Sequence, residues 1–181
     1  QGSQYEGMGC KLYEADEAFR CAMDQCEAVF AELTGGEESL LAEMRYPGPP
    51  SSSFSSSSSS RLSETRFTQP ALFALEWSLA EMWQARGVRP TMVLGHSVGE
   101  ITAACVAGVM TMETGMRLTT ERGRMMQAVP SRGGVMVAVR TSRDTAEAAV
   151  AAVALEMAAA AALSQDEEKA GMAFTEMVSV I

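Results

Sequence analysis

The sequence of 181 residues has very few histidines and no long hydrophobic run. Its single histidine is His96, which argues against a histidine-based metal site. No apolar stretch reaches the roughly 18 residues that a membrane-spanning helix needs. The most apolar segment, residues 146–163, is Ala-rich and is interrupted by Glu147 and Glu156. We therefore expect no bound metal and no membrane partner.

Positive charge and cysteine are also scarce. Fourteen Lys and Arg stand against 23 Asp and Glu, giving a formal net charge of −9, which argues against nucleic acid or an anionic membrane surface as a partner. The four cysteines have no metal-type spacing, and at least two lie at apolar helix positions. Buried free thiols are typical of a reducing compartment, here the cytoplasm or the interior of an organelle.

The remaining composition is that of a globular domain, with 47% hydrophobic and 20% charged residues. Apolar periodicity and capping signals predict helices over about residues 12–33, 40–44, 71–86, 101–107, 112–127 and 142–163. Short apolar runs predict strands at 91–94 and 135–139, and a strand starting at 178. Residues 47–60, rich in Pro and then Ser, are predicted to be a disordered surface insertion. The chain begins with Gln and is interpreted as part of a longer one, so a targeting signal cannot be judged.

The strongest single motif surrounds a serine. A predicted buried strand over residues 91–94 runs into G-H-S-V-G, and a helix of small residues follows. This order is typical of a nucleophile elbow, in which Ser97 is held at a sharp turn with its hydroxyl exposed. Gly95 and Gly99 are expected to remove Cβ atoms that would collide where strand and helix meet. The alternative is a serine that only shapes the turn.

Four ordered motifs resemble the acyltransferase domain of polyketide and fatty acid synthases, the malonyl-CoA:acyl-carrier-protein transacylases. They are Q-G-S-Q at 1–4, T-Q-P-A-L-F at 68–73, G-H-S-V-G-E at 95–100 and R-G at 122–123. The resemblance covers about residues 1–12 and 62–140. The Ser-rich insertion has no counterpart in the family.

The resemblance implies an α/β fold in two parts. Residues 1–132 would belong to an incomplete α/β-hydrolase-like large subdomain, with residues 47–60 as an insertion. Residues 133–181 would begin a ferredoxin-like small subdomain. The implied partners are malonyl-CoA, an acyl carrier protein whose phosphopantetheine thiol receives the acyl group, and neighbouring synthase domains. No bound cofactor is implied.

The resemblance also implies catalytic roles. Ser97 would attack the malonyl thioester, and the backbone amides of Gln1 and Val98 would form the oxyanion hole. Valine at the variable position of the elbow resembles malonyl-selective members of the family. His96 would be a wall residue of the pocket, because it adjoins the nucleophile in a tight turn. The histidine base of the family has no counterpart in these 181 residues, so the chain alone is expected to be inactive.

An arginine completes the implied site. Arg122 would clamp the free carboxylate of the malonyl group, since a planar bidentate cation suits that anion. Gln69 would line the pocket. The alternative for Arg122 is an exposed helix arginine such as Arg117 or Arg124. Two other functions stay open at this point: a serine esterase or thioesterase with the same elbow, and a non-catalytic module that docks a carrier protein.

Overall fold

The computed structural model describes residues 2–46, 61–130 and 140–164. These residues form seven α-helices: α1 (Cys10–Ala15), α2 (Glu17–Leu33), α3 (Leu40–Glu43), α4 (Thr65–Ala85), α5 (Val98–Val106), α6 (Met112–Ala128) and α7 (Arg143–Ser164). The chain divides into two compact units, Gln1–Pro130 and Ser131–Ile181. The predicted insertion at 47–60 and the predicted strands at 135–139 and 178–181 lie outside the described residues.

The predicted helix over 12–33 is divided in two at Asp16. Its backbone is extended there, with φ −123° and ψ 118°, and its carboxylate accepts a hydrogen bond from the Phe19 N–H at 2.8 Å. That N–H, helped by the Arg86 guanidinium, lowers the pKa of Asp16. Asp16 therefore acts as the N-cap of α2, a role that its side chain favours over a place inside a helix.

Helix α4 begins at Thr65, six residues before the predicted start, and includes Pro70. Proline is favoured in the first turn of a helix, where its missing N–H leaves no bond unmade. Within α4 the missing donor would have bonded the Arg66 carbonyl, one turn earlier. Helix α6 approaches closely at this point: a Cβ on Gly123 would lie 2.8 Å from the Thr65 carbonyl oxygen and 3.0 Å from the Arg66 Cα. A glycine is therefore required for α6 to pack against the start of α4.

The core of the first unit is built around α4, which packs against α2, α5 and α6. Apolar residues recur at helical spacing along α4, but two of them, Leu75 and Leu79, are only partly buried. Burial is strongest in the first half of the helix, where every residue from 67 to 74 is buried. The wide apolar face of the sequence over residues 71–86 predicts packing against a sheet; among the described residues the neighbours of α4 are helices.

The two helix starts that were predicted from side-chain caps are confirmed. The Thr111 hydroxyl accepts a hydrogen bond from the Thr114 N–H at 3.3 Å, and the Ser142 hydroxyl accepts one from the Thr145 N–H at 3.3 Å. These bonds satisfy backbone donors that the first turns of α6 and α7 would otherwise leave open.

The predicted buried strand over residues 91–94 is not formed in the part of the chain that the structure describes. No backbone ladder involves these residues, and Met92 and Leu94 are 87% and 96% exposed. A strand gains its hydrogen bonds and its burial from neighbouring strands, and no described residue provides one. Among the described helices, none is long and apolar enough to cross a bilayer.

Two of the four cysteines, Cys26 and Cys105, are buried and free, which confirms that prediction. Burial raises the pKa of Cys26 to about 12 and also raises the pKa of Cys105. Both thiols therefore stay protonated and pack as small apolar groups. Cys10 and Cys21 are free as well, and Cys21 is exposed.

Candidate active site

The backbone of Ser97 adopts a strained conformation, as an elbow requires. Its φ is 55° and its ψ is −116°, and among the described non-glycine residues only Arg45 shares a positive φ. Such a conformation costs roughly 1–3 kcal/mol and persists only where the surroundings enforce it. The predicted sharp turn before α5 is therefore present.

Gly95 is the glycine that makes this turn possible. A Cβ on Gly95 would lie 2.0 Å from the Gly99 carbonyl oxygen and 2.3 Å from the Glu100 nitrogen, so no side chain fits. The prediction for Gly99 itself is wrong. A Cβ there would lie 3.7 Å from a carboxylate oxygen of Glu76, an ordinary contact. The backbone of Gly99 therefore lies where a side chain of residue 95 would be, so the glycine is needed at 95 and not at 99.

The Ser97 hydroxyl does not act as a helix cap. Ser97 is the N-cap residue of α5, yet its side chain makes no capping hydrogen bond. A serine that only shaped the turn would normally bond the amide two or three residues later. The next amide, that of Val98, has no acceptor among the described residues, and it lies in the first turn of α5. The elbow therefore presents an unused hydroxyl beside an unused N–H at the positive end of a helix.

His96 lies on the other side of the turn and is exposed. It lines a groove of about 830 Å³ that runs between α4, α5 and the irregular segment 88–96. No hydrogen bond joins His96 to the Ser97 hydroxyl in the described part of the chain. This position agrees with a wall residue and offers the serine no base.

Arg122 on α6 contacts Gln69 on α4. One guanidinium nitrogen of Arg122 donates a short hydrogen bond to Oε1 of Gln69, whose side chain is fully buried. The Gln69 amide nitrogen donates to the Thr65 hydroxyl at 3.0 Å and to the Met126 sulfur at 3.2 Å. These two contacts fix the amide so that its oxygen faces the arginine.

The three arginines at the middle of α6 differ in their charge partners. Arg117 pairs with Glu32 at 2.8 Å, and Arg124 pairs with Glu121 at 2.8 Å. Arg122 is partly buried and has no carboxylate within 4.0 Å among the described residues. Its positive charge is therefore oriented by a neutral amide and has no counterion among the residues that the structure describes, unlike the two exposed arginines with which it was compared.

The structure brings the predicted residues together in two groups along α4. Ser97, Val98 and His96 lie at the elbow, and Gln69 and Arg122 form the second group. Seven residues separate Gln69 from Glu76, where α4 meets α5, so about 10 Å of helix lies between the two contact points. Gln1, predicted for the oxyanion hole, lies outside the described residues. The hydrogen bonds of the N-terminal loop run to Met44 and Tyr46.

Two polar residues of this region were not predicted from the sequence. The Thr102 hydroxyl of α5 donates to a carboxylate oxygen of Glu76 at 2.7 Å. On α4, Glu76 lies between Leu75 and Trp77, two apolar residues that pack against the core. A carboxylate between apolar residues of a helix indicates a polar partner on a neighbouring element, and this was the signal in the sequence.

A family model described as acyl transferase domain matches residues 1–171. The chain belongs to this family. It is 43% identical over 151 residues to the polyketide synthase GfsA of Streptomyces halstedii, covering 83% of this chain and 2% of that protein. The chain thus spans a small part of the length of this relative.

Solved acyltransferases have a similar structure. The acyltransferase domain from the second module of the salinomycin polyketide synthase matches with a TM-score of 0.68 at 40% identity, over 83% of this chain and 32% of that one. An acyl carrier protein S-malonyltransferase from Vibrio cholerae matches with a TM-score of 0.64 at 34% identity, over 85% and 46%. These domains have an α/β fold, in agreement with the predicted fold class.

Proposed function

We propose that this chain transfers a malonyl group from malonyl-CoA to the phosphopantetheine thiol of an acyl carrier protein, through an ester on Ser97, as part of a polyketide synthase. The observation that carries this proposal is the state of Arg122. It is a permanent cation, held by a buried amide and without a carboxylate partner among the described residues. An acyl group that ends in a carboxylate would supply that partner.

In the first half of the reaction, the Ser97 oxygen attacks the thioester carbonyl carbon, and the serine proton passes to a base. The carbon–sulfur bond then breaks, and CoA leaves as a thiol after taking up that proton. In the second half, the carrier thiol gives its proton to the base and its sulfur attacks the serine ester carbon; the carbon–oxygen bond then breaks, and the Ser97 oxygen takes up that proton. Each half passes through an oxyanion, which the Val98 N–H, in the first turn of α5, would stabilise. The resemblance assigns the second donor to the Gln1 amide.

Arg122 would select the acyl group. Its guanidinium uses one N–H for Gln69 and keeps the others for the two oxygens of a malonyl carboxylate. An esterase has no need for such a cation, and a module that only docks a carrier protein has no need for a strained serine.

The finer organisation is also a proposal. Residues 1–132 would form part of an α/β-hydrolase-like subdomain, and residues 133–181 the start of a ferredoxin-like one. The single histidine of residues 1–181, His96, makes no hydrogen bond to the Ser97 hydroxyl among the described contacts, so these residues alone should not sustain turnover. The Vibrio cholerae relative is an acyl carrier protein S-malonyltransferase, which supports the carrier protein as the acceptor. We place the reaction in the cytoplasm, beside neighbouring synthase domains.

The test measures kcat/KM for malonyl-CoA and acetyl-CoA in the full natural chain that contains residues 1–181. Arg122→Ala removes a charged hydrogen-bonding partner that contributes roughly 1.5–3 kcal/mol, so malonyl transfer should fall about 10- to 150-fold. Acetyl transfer should hold or rise. Arg122→Lys should restore only part of the loss, because an ammonium cannot match both carboxylate oxygens at once.

Arg117→Ala and Arg124→Ala are the matched controls on the same helix and should leave the acyl preference unchanged. Equal losses with both donors in Arg122→Ala would mean that this arginine supports the fold, and the malonyl assignment would fail. Release of free malonate without transfer to the carrier would indicate an esterase. Absence of any covalent acyl-enzyme would favour the docking module.

A further inference from the structure

Glu76 is the only carboxylate that lines the groove beside the elbow in the part of the chain that the structure describes. It lies on α4 and reaches across to α5, where its oxygen accepts the Thr102 hydroxyl hydrogen at 2.7 Å. Thr102 is 6% exposed and Glu76 is half-buried, so the donor side of this bond is shielded from water. A hydrogen bond to an ionised acceptor is stronger than one between neutral groups.

The carboxylate also lies against the first turn of α5. A Cβ on Gly99 would be 3.7 and 4.0 Å from the two carboxylate oxygens. No Lys, Arg or His nitrogen lies within 4.0 Å of Glu76 among the described residues. Its negative charge is therefore balanced by the Thr102 hydroxyl and by the positive end of the helix that follows Ser97.

We infer that Glu76 is a positioning residue for the nucleophile, acting through Thr102 and the first turn of α5. The inference rests on the proposed function, in which Ser97 becomes acylated. Ser97 keeps its strained backbone only if α5 cannot rotate or shift away. The contact between Gly95 and Gly99 holds the segment before the turn, and the bond from Thr102 to Glu76 holds the helix after it.

Loosening this bond would move the Ser97 hydroxyl and the Val98 N–H together. Both are needed at the same moment, when the oxyanion forms. A displacement of about 1 Å in a reacting group can cost on the order of 100-fold in rate. Substrate affinity should change little, because the proposed carboxylate site at Arg122 lies two turns away along α4.

The experiment compares single-turnover acylation of Ser97 by malonyl-CoA in the full natural chain that contains residues 1–181. Glu76→Ala and Thr102→Val should each lower the maximal acylation rate about tenfold or more, with KM unchanged within about twofold. Thr102→Ser keeps the hydroxyl and should retain the wild-type rate. The double variant should be no slower than either single one, because both remove the same bond.

Glu81→Ala is the matched control on α4, because within the described part of the chain its carboxylate accepts a hydrogen bond from Gln84 of the same helix, at 3.2 Å, and none from another element. Wild-type rates in Glu76→Ala, or equal rates in Thr102→Val and Thr102→Ser, would overturn the inference. A wild-type chain that is not acylated at Ser97 would contradict the proposed function instead. In that case amide hydrogen exchange decides: exchange in the first turn of α5 should rise in Glu76→Ala and Thr102→Val only, and unchanged exchange would refute the role of Glu76.

Discussion

Replacing Gln69 by glutamate should reverse the acyl preference. Glutamate has nearly the same shape, but its carboxylate would lie against the Arg122 guanidinium that now contacts the Gln69 oxygen. The arginine would then carry an internal counterion at the place where a malonyl carboxylate should bind. Malonyl transfer should fall, and acetyl transfer should be retained or increased.

The size of the effect follows from the geometry. Two unit charges about 4 Å apart attract by roughly 4 kcal/mol at an effective dielectric constant near 20. Gln69 is fully buried, so desolvating the new carboxylate offsets part of this attraction. We expect the net interaction free energy between the new carboxylate and Arg122 to be about 1.5–3 kcal/mol. A malonyl carboxylate must displace or share this interaction. The ratio of malonyl to acetyl kcat/KM should drop roughly 10- to 150-fold.

The assay measures kcat/KM for both donors in wild type, Gln69→Glu and Gln127→Glu. Gln127 is exposed and its side-chain oxygen accepts the Thr65 N–H at 3.0 Å, so its variant adds the same charge in the same region away from Arg122. An unchanged malonyl-to-acetyl ratio in Gln69→Glu would refute the assignment of Arg122 as the carboxylate site. An equal drop of this ratio in Gln127→Glu would refute the same assignment.

Three further predictions concern stability and are measured by thermal unfolding. Gly95→Ala should unfold the elbow region or lower Tm strongly, since its Cβ would meet backbone atoms at 2.0–2.3 Å, whereas Gly99→Ala should stay near wild type. Equal Tm values for the two would contradict the close contact. Burial raises the pKa of Glu27 above its usual 4.5, so its contribution to stability is present below that pH and is lost as pH rises through the raised value. The Tm of wild type minus the Tm of Glu27→Gln should therefore become more positive as pH is lowered. A difference that does not depend on pH would contradict the raised pKa of Glu27. Deleting residues 51–60 should change the free energy of unfolding by less than about 1 kcal/mol, because loop closure depends weakly on length; a larger loss would reveal contacts of the insertion with the core.

Local sequence signals predicted the elbow and the helix caps because neighbouring residues determine them. Gly95 lies against the backbone of Gly99 only four residues later, and the tight turn between them requires the positive φ at Ser97. Thr111 caps α6 through an amide only three residues away. In each case the cause and its effect lie within a few residues.

The contacts that define the candidate site could not be predicted in this way. Gln69 and Arg122 are 53 residues apart, and Glu76 and Thr102 are 26 apart. Periodicity identifies which helix face is buried, but not which polar side chains meet across two packed helices. Nor does periodicity indicate that, within the described residues, Arg117 and Arg124 have carboxylate partners and Arg122 has none.

The strand over residues 91–94 shows a different limit. Its apolar composition predicts burial, but burial depends on neighbouring strands that the described residues do not contain. Met92 and Leu94 are exposed, whereas Val93 between them is less exposed. Neither the strand nor its burial is determined by these four residues alone, because both depend on a neighbouring strand.

The most direct test of the central claim is to locate the acyl group after brief incubation of the full natural chain with malonyl-CoA. Rapid acid quenching, proteolysis and mass spectrometry should find a malonyl ester on the peptide that contains Ser97, and adding an acyl carrier protein should remove it as malonyl-carrier forms. Ser97→Ala should carry no label. A malonyl group on another residue, or an ester on Ser97 that transfers only to water, would contradict the account.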